Sequence, residues 1–332
     1  MKVLVTGGLG FIGSHTVVEL LETNNDVVVI DNLYNSKIEV IDYIKEITNK
    51  DIKFYEKDLC NYEDVDKIFE EENFDCVIHF AGYKAVGESV QKPVMYYENN
   101  LLSTINILKA MEKYNCKNII FSSSATVYGD PEKLPITEDS KVGGTTNPYG
   151  TTKLMIERIL NDFIIAHQDY TAVVLRYFNP IGAHKSGLLG ENPNGIPNNL
   201  MPYIVRVANK ELEILSIFGD DYDTPDGTGV RDYIHVVDLA KGHIKALKKA
   251  DNKGIYYYNL GTGKGYSVLE IVNTFKKVNN IDVPYKIVGR REGDIAACYA
   301  DPSKAKKELD WKAELGIDDM CRDSYNYILK NR

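Results

Sequence analysis

The feature that most limits what this chain can fold into is its beginning. Val3-Leu4-Val5-Thr6 is a short β-strand run, Gly7-Gly8-Leu9-Gly10-Phe11-Ile12-Gly13 follows at once, and Phe11 to Glu22 reads as a helix. Glycines at 7, 10 and 13 allow a tight turn and let backbone N–H groups approach a pyrophosphate, and the helix N-terminus adds favourable electrostatics. A glycine motif alone is weak. Its place between the first strand and the first helix supplies the context that a dinucleotide site needs. Val27 to Ile30 is the next strand, closed by Asp31 eighteen residues past Gly13. A carboxylate there accepts hydrogen bonds from the adenosine ribose hydroxyls and repels a 2′-phosphate, which favours NAD over NADP.

The alternation continues. Strands are expected at Ile52–Tyr55, Cys76–Phe80, Asn118–Phe121 and Ala172–Arg176, and helices at Glu63–Glu72, Pro93–Tyr114 and Tyr149–His167. Apolar strands alternating with helices imply an α/β chain with a Rossmann-type, doubly wound parallel sheet, whose ligands lie beyond the carboxyl ends of the strands. Asp58 and Leu59 follow the third strand, where an Asp could bond the adenine amino group. Phe80, Ala81 and Gly82 follow the fourth, beside the cofactor's middle, with Lys84 and Asn99 nearby. After about residue 180 the style changes. Asn179-Pro180, Asn192-Pro193-Asn194-Gly195 and Asp220 to Gly229 are rich in turn residues, and the elements between them shorten. A smaller, mixed α/β C-terminal domain is expected there, ending in an amphipathic helix over Ile317 to Leu329.

Composition narrows the partners. The formal charge is −9, from 39 Lys plus Arg against 48 Asp plus Glu. Without a basic run the chain is a poor nucleic-acid binder, because phosphate neutralisation needs clustered cations. No apolar stretch approaches the ~18 residues of a membrane-spanning helix, and the N-terminus lacks a signal peptide's apolar core. The five cysteines, Cys60, Cys76, Cys116, Cys298 and Cys321, have no metal-ligand or redox spacing. No metal is expected, and a reducing cytoplasm is the simplest setting.

The chemistry centres on Asn147-Pro148-Tyr149-Gly150-Thr151-Thr152-Lys153. Asn147 suits a helix cap and Pro148 a first helical position, which puts Tyr149 and Lys153 one turn apart on one face. A phenol titrates near 10, and making it a base at neutral pH takes about 4 kcal/mol. The Lys153 ammonium, the helix N-terminus and a bound nicotinamidium can supply this. Ser124, ending the preceding strand, can hydrogen-bond the same reacting hydroxyl. A hydroxyl, a phenol base and a lysine beside a nicotinamide can move a proton and a hydride at an alcohol carbon.

At these residues the chain resembles the extended short-chain dehydrogenase/reductases, and more closely their UDP-hexose 4-epimerase branch. The resemblance covers essentially the whole chain: Thr6–Gly13, His79-Phe-Ala-Gly82, Ser122–Gly129, Asn147–Gly150 with Lys153, Arg176-Tyr-Phe-Asn179, Pro197-Asn-Asn-Leu200, Gly227–His235 and Gly289–Asp294. It implies a tightly bound NAD regenerated in each cycle. Tyr149 removes the O4 proton as C4 gives up its hydride, a 4-keto sugar nucleotide turns over, and hydride and proton return to invert C4. Lys153 would also bind the nicotinamide ribose and Ser124 assist at O4. Further cofactor contacts are implied at Phe11, Ile12, Asn32, Asn35, Ser122 and Tyr177. The implied substrate contacts, beside Lys84, Ser124 and Tyr149, are Phe178, Asn179, Asn199, Leu200, Phe218, Arg231, Arg291, Asp294 and Cys298. Residues 1–178 would form the NAD-binding domain, with about 230–250 returning to it, and 179–332 the UDP-sugar-binding domain. The helices around Leu101, Ile105, Leu108 and Ile156, Leu160, Ile164 would form a four-helix homodimer interface, although core packing is the default account of those stripes.

Cys298 aligns with a position lining the sugar pocket. A bulky tyrosine there largely excludes N-acetylated sugars in the family, and a smaller residue tolerates them, so UDP-GlcNAc and UDP-GalNAc are further expected substrates. Tyr299 is adjacent, and a shift of one residue would close the gate. The alternatives are a sugar-nucleotide dehydratase, a uronate epimerase and a non-catalytic NAD-sensing protein. A dehydratase needs an acid after the serine-rich strand, where this chain has Ser124-Ala125-Thr126. A non-catalytic relative commonly loses the Tyr or the Lys, and both are present.

Overall fold

The computed structural model describes residues 1–331 except 194–196, 198, 251 and 292. Asn194, Gly195, Asn198 and Glu292 of the motifs quoted above thus lie outside the described residues. The first half runs β1 (Lys2–Thr6), α1 (Phe11–Glu22), β2 (Asp26–Asp31), α2 (Val40–Thr48), β3 (Lys53–Glu56), α3 (Tyr62–Glu71), β4 (Cys76–His79), α4 (Val86–Gln91), α5 (Pro93–Tyr114), β5 (Asn118–Ser124), α6 (Pro148–Ala166) and β6 (Thr171–Tyr177). The second half runs β7 (Asn179–Ile181), α7 (Leu200–Ala208), β8 (Leu215–Phe218), β9 (Val230–His235), α8 (Val236–Ala246), β10 (Gly254–Leu260), β11 (Gly265–Ser267), α9 (Val268–Asn279), β12 (Tyr285–Val288), β13 (Ala297–Cys298), α10 (Ser303–Leu309) and α11 (Ile317–Lys330).

Among the described residues, seven strands form one parallel sheet in the order β10-β6-β5-β4-β1-β2-β3. The expected doubly wound sheet is therefore present, and the order reverses direction beside β1. Its two faces follow from strand alternation. Val3, Val5, Val29, Ile78, Ile120 and Val173 pack in one buried cluster with residues of α1 and α8. Leu4, Val28, Ile30, Val77, Ile119 and Phe121 pack in another with α3, α5 and α6. The stripe residues Leu108, Ile156, Leu160 and Ile164 belong to this second cluster, so they are core.

The second half does two things. α8 packs on α1, and β10 adds to β6 as an edge of the main sheet. That strand, Gly254–Leu260, was not expected from sequence. The rest builds smaller sheets: β9 pairs with β7, β11 and β13, and β8 pairs with β12. α7, α9 and α11 enclose their own apolar cluster there. Among the described residues no helix is long and apolar enough to cross a membrane.

Of the four histidines at most 1 % exposed among the described residues, three, His15, His79 and His243, lie in or beside the main sheet. His79 is held between Thr6 Oγ1 at 2.7 Å and Thr104 Oγ1 at 3.0 Å. His243 meets Tyr177 Oη at 2.8 Å through Nε2, and the Leu239 carbonyl at 2.9 Å through Nδ1. His15 hydrogen-bonds the Phe11 carbonyl, and its buried Nε2 has no partner among the described residues. Burial holds His15 and His79 to about 3 and His243 to about 4. An unfolded histidine titrates near 6.5. Below that pH the unfolded chain binds more protons than the folded one, so stability is full above about 6.5 and declines as the pH falls. Each histidine contributes a slope of up to about 1.4 kcal/mol per pH unit. Urea unfolding between about pH 7 and 5 should show this decline, with a shallower slope in His15→Gln; equal slopes would refute the assignment to buried histidines.

Candidate active site

The glycine turn is shaped by contact. Gly7 has φ +65°, and a Cβ on it would lie 3.0 Å from the Ala81 nitrogen. A Cβ on Gly13 would lie 2.2 Å from the Gly7 carbonyl oxygen, so only glycine lets α1 start this close to β1. Gly10 caps α1 without a side-chain hydrogen bond, and the first turn, from Phe11 and Ile12 onward, holds no acidic residue. The positive end of the helix is thus left for an anion. Asp31 is 8 % exposed and organises the neighbourhood. Its Oδ2 accepts from the Leu9 N–H at 3.1 Å, and its Oδ1 from the Leu33 N–H at 3.0 Å and Ser36 Oγ at 2.7 Å. A backbone cradle, an open helix N-terminus and a carboxylate at the end of β2 fit a dinucleotide.

The other expected cofactor residues lie where the parallel sheet ends. Asn32 and Asn35 are exposed on the segment after β2. Asp58, also exposed, accepts from Asn32 Nδ2 at 3.4 Å and from the Cys60 N–H at 2.8 Å, and Leu59 is buried beneath it. The cap of α3 is Asn61, not Asp58. Phe80 and Ala81 hydrogen-bond back to Thr6, and the Phe80 ring packs on His243 with centroids 4.7 Å apart. Asn99 donates to Asn100 Oδ1 at 3.0 Å.

The chemical residues come from β5, α6 and β6. Asn147 Oδ1 accepts the Gly150 N–H at 2.9 Å and Pro148 opens α6, as the sequence implied. Lys153 Nζ lies 5.9 Å from the Tyr149 ring centroid and donates to the Ser122 carbonyl at 2.6 Å. Burial lowers Lys153 to about 8, with the Glu157 carboxylate opposing. For Tyr149 the structure departs from expectation. Burial raises its phenol above the ordinary 10, and the opposing influences are a hydrogen bond with Ser124 and the charge of Lys84. Lys153 is spent on the Ser122 carbonyl and on its own desolvation. At the end of β6, burial pushes the Tyr177 phenol well up, offset in part by a hydrogen bond with Ser122.

The expected substrate residues gather on the smaller sheets. Phe178 leads from β6 into Asn179 on β7, which pairs with Tyr233 on β9. Arg231, on β9, faces Cys298 on β13. Arg291 makes a bidentate pair with Asp294, both bonds 3.1 Å, and Arg231 approaches the same carboxylate at 4.0 Å. The Arg291 guanidinium lies 5.2 Å from the ring centroid of Phe218, which is 42 % exposed. Asn199 caps α7 and Leu200 begins it. Cys298 packs against a cluster that includes Ala125 and Phe178, while the ring of Tyr299 lies against Gly265. Burial raises the Cys298 thiol to about 11, against the charge of Arg231.

Several residues of the site were not singled out from sequence. Asn100, 2 % exposed, accepts from the Tyr83 N–H at 2.8 Å and donates to the Tyr83 carbonyl at 3.1 Å and to Thr152 Oγ1 at 3.0 Å. It ties the segment carrying Lys84 to the helix carrying Tyr149. An Asn-Asn pair inside a long helix is the signal that could have found it, because asparagine is unfavourable there unless bonded. Glu157, one turn past Lys153, and Glu191 are two more.

The model of a family described as GDP-mannose 4,6 dehydratase matches residues 4–324 of the chain. A UDP-glucose 4-epimerase of Bacillus subtilis is 60 % identical over 332 residues, covering 100 % of this chain and 98 % of the relative. The crystal structure of a UDP-glucose 4-epimerase from Bifidobacterium longum in complex with NAD+ and UDP is 58 % identical, with a TM-score of 0.97, covering 100 % of this chain and 99 % of that one. A third, from Stenotrophomonas maltophila with bound NAD and a formylated UDP-arabinopyranose, is 45 % identical, also at 0.97, covering 100 % and 98 %.

Proposed function

This chain belongs to the UDP-glucose 4-epimerase family, and from that premise we propose that it inverts C4 of UDP-hexoses, interconverting UDP-glucose and UDP-galactose through a transient 4-keto sugar. The observation that carries the reading is one constellation: Lys153 Nζ 5.9 Å from the Tyr149 ring centroid and bonded to the Ser122 carbonyl, two residues before Ser124, at the sheet end where the glycine turn lies. NAD, held by the Gly7–Gly13 turn and Asp31, would supply hydride chemistry at C4, and its positive charge would favour the Tyr149 phenolate that the protein's own groups do not. Tyr149 takes the O4 proton and gives it back. Ser124 holds the same oxygen, and Lys153 donates towards the cofactor ribose. Arg231 and Arg291, with rigid donor forks suited to phosphate, hold the diphosphate while the keto sugar turns its other face. Net redox is zero, so the enzyme is an isomerase.

The missing acid supports epimerisation over dehydration. Expelling water needs a proton donor after β5, and Ser124-Ala125-Thr126 holds no carboxyl group. The cysteines are all free, in keeping with a cytoplasmic setting. A homodimer through α5 and α6 is part of the proposal. These helices pack together and leave Val94 74 % and Met155 42 % exposed. The proposal further extends to UDP-GlcNAc and UDP-GalNAc, because the position that aligns with the family's sugar pocket holds the small Cys298 and not a tyrosine.

Three outcomes are expected. The protein should convert UDP-galactose to UDP-glucose, and Tyr149→Phe should lose at least about 10³-fold in kcat while still binding UDP. A wild type that neither converts UDP-galactose nor reduces its NAD, read near ~340 nm, would overturn the reading. UDP-GalNAc turnover by wild type should fall at least about ten-fold in Cys298→Tyr, with UDP-galactose turnover kept; no wild-type turnover refutes the extension. Light scattering should give twice the chain mass, and a monomer would refute the dimer.

A further inference from the structure

Glu191 lies on the segment between β7 and α7, and its side chain is 10 % exposed. Its Oε1 accepts from Lys84 Nζ at 3.0 Å and from Asn199 Nδ2 at 3.1 Å. Lys84 follows β4 in the dinucleotide-binding part, and its ammonium also lies 5.9 Å from the ring centroid of Phe11, the first residue of α1. Asn199 is the cap of α7 in the other part of the chain. One carboxylate oxygen therefore joins two residues that both stand among the expected ligand contacts and that come from different parts of the chain.

We propose that Glu191 is a positioning residue for the epimerase reaction, fixing the Lys84 ammonium beside the start of α1 and the Asn199 amide at the start of α7, where both meet the UDP-sugar. The inference rests on the epimerase reading and assigns a further residue to that site. A lysine ammonium is a compact charge on a flexible four-carbon stem. The Lys84 side chain is 46 % exposed, and an anchor as exposed as itself would hold it only loosely. Glu191, whose side chain is 10 % exposed, is the firmer anchor because it is less exposed than Lys84 and is shared by a second donor. Burial alone would lower the Lys84 ammonium, and the Glu191 carboxylate reverses this to a net rise, so Lys84 stays charged.

The groups facing the Tyr149 phenol are Ser124 from β5, Lys84 from the segment after β4, Tyr177 from β6 and Lys153 from its own helix. Both cations bear on the phenol: Lys153 Nζ lies 5.9 Å from its ring centroid while donating to the Ser122 carbonyl, and the charge of Lys84 opposes the rise that burial causes. Loss of Glu191 frees Lys84 to swing towards the diphosphate. That would weaken the productive sugar complex and withdraw positive charge from Tyr149 together.

The test compares wild type, Glu191→Ala and Glu191→Gln as full-length protein with its NAD. Alanine removes the acceptor, and glutamine keeps an oxygen of the same reach. Glu191→Ala should raise the KM for UDP-galactose about ten-fold and weaken UDP binding by calorimetry to a similar degree. It should also move the acidic limb of the kcat–pH profile to higher pH. Glu191→Gln should recover most of both effects. A Glu191→Ala protein with wild-type KM, UDP affinity and pH profile overturns the proposal. So does equal loss in both variants with an unmoved acidic limb and a lowered Tm, which is the mark of a structural role alone. Wild-type inactivity on UDP-galactose would sink the epimerase reading instead. The comparison of UDP affinities would then still decide for or against Glu191.

Discussion

The site depends on a buried ion pair that lies beneath it. Glu157, on α6, meets Arg176, on β6, through two parallel bonds of 3.0 and 2.7 Å, and both side chains are 5 % exposed. Ser123 of β5 donates to the same carboxylate at 2.5 Å, and Arg176 also donates to Tyr128 Oη at 2.9 Å while stacking between the rings of Tyr128 and Tyr257. Such a pair adds little net stability over apolar packing, but losing one partner costs about 3–5 kcal/mol because a buried charge is left alone. What it secures is register. It fixes α6 against β5 and β6, so Lys153, one turn before Glu157, reaches the Ser122 carbonyl.

Charge in the site is arranged against the chain's overall sign. The protein is acidic, yet the expected ligands, a dinucleotide and a UDP-sugar, are anions. The open N-terminus of α1 and the guanidinium groups of Arg231 and Arg291 supply positive potential locally. Asp294 holds the two arginines in place before any phosphate does. Net charge thus describes the solvated exterior, and a few placed groups set the sign of the ligand.

Much of the architecture was legible because it is local. The β1–α1 glycine turn, the Asn147–Pro148 start of α6 and the alternating strands each depend on neighbours within a few residues, and the observed elements follow the expected ones closely. β10 was missed because Gly254–Leu260, with three consecutive tyrosines, lacks a clear alternation and joins the sheet only through pairing with β6, some eighty residues earlier. The apolar stripe on α6 showed an amphipathic helix, but not that Ile156, Leu160 and Ile164 would turn to the helix's own sheet.

By itself the sequence determined the fold class, the dinucleotide turn and the residues able to do the chemistry, since turn geometry, capping and side-chain type are properties of short segments. Tertiary structure decided how those residues act on one another. It gave the Lys153 ammonium to the Ser122 carbonyl, 5.9 Å from the Tyr149 ring, and added the charge of Lys84 from the segment after β4. It packed Cys298 against the cluster that holds Ala125 and Phe178 and laid the Tyr299 ring against Gly265, and it brought Glu191 to both Lys84 and Asn199. Coulomb interaction and desolvation depend on distance and burial in three dimensions, and spacing along a chain specifies neither.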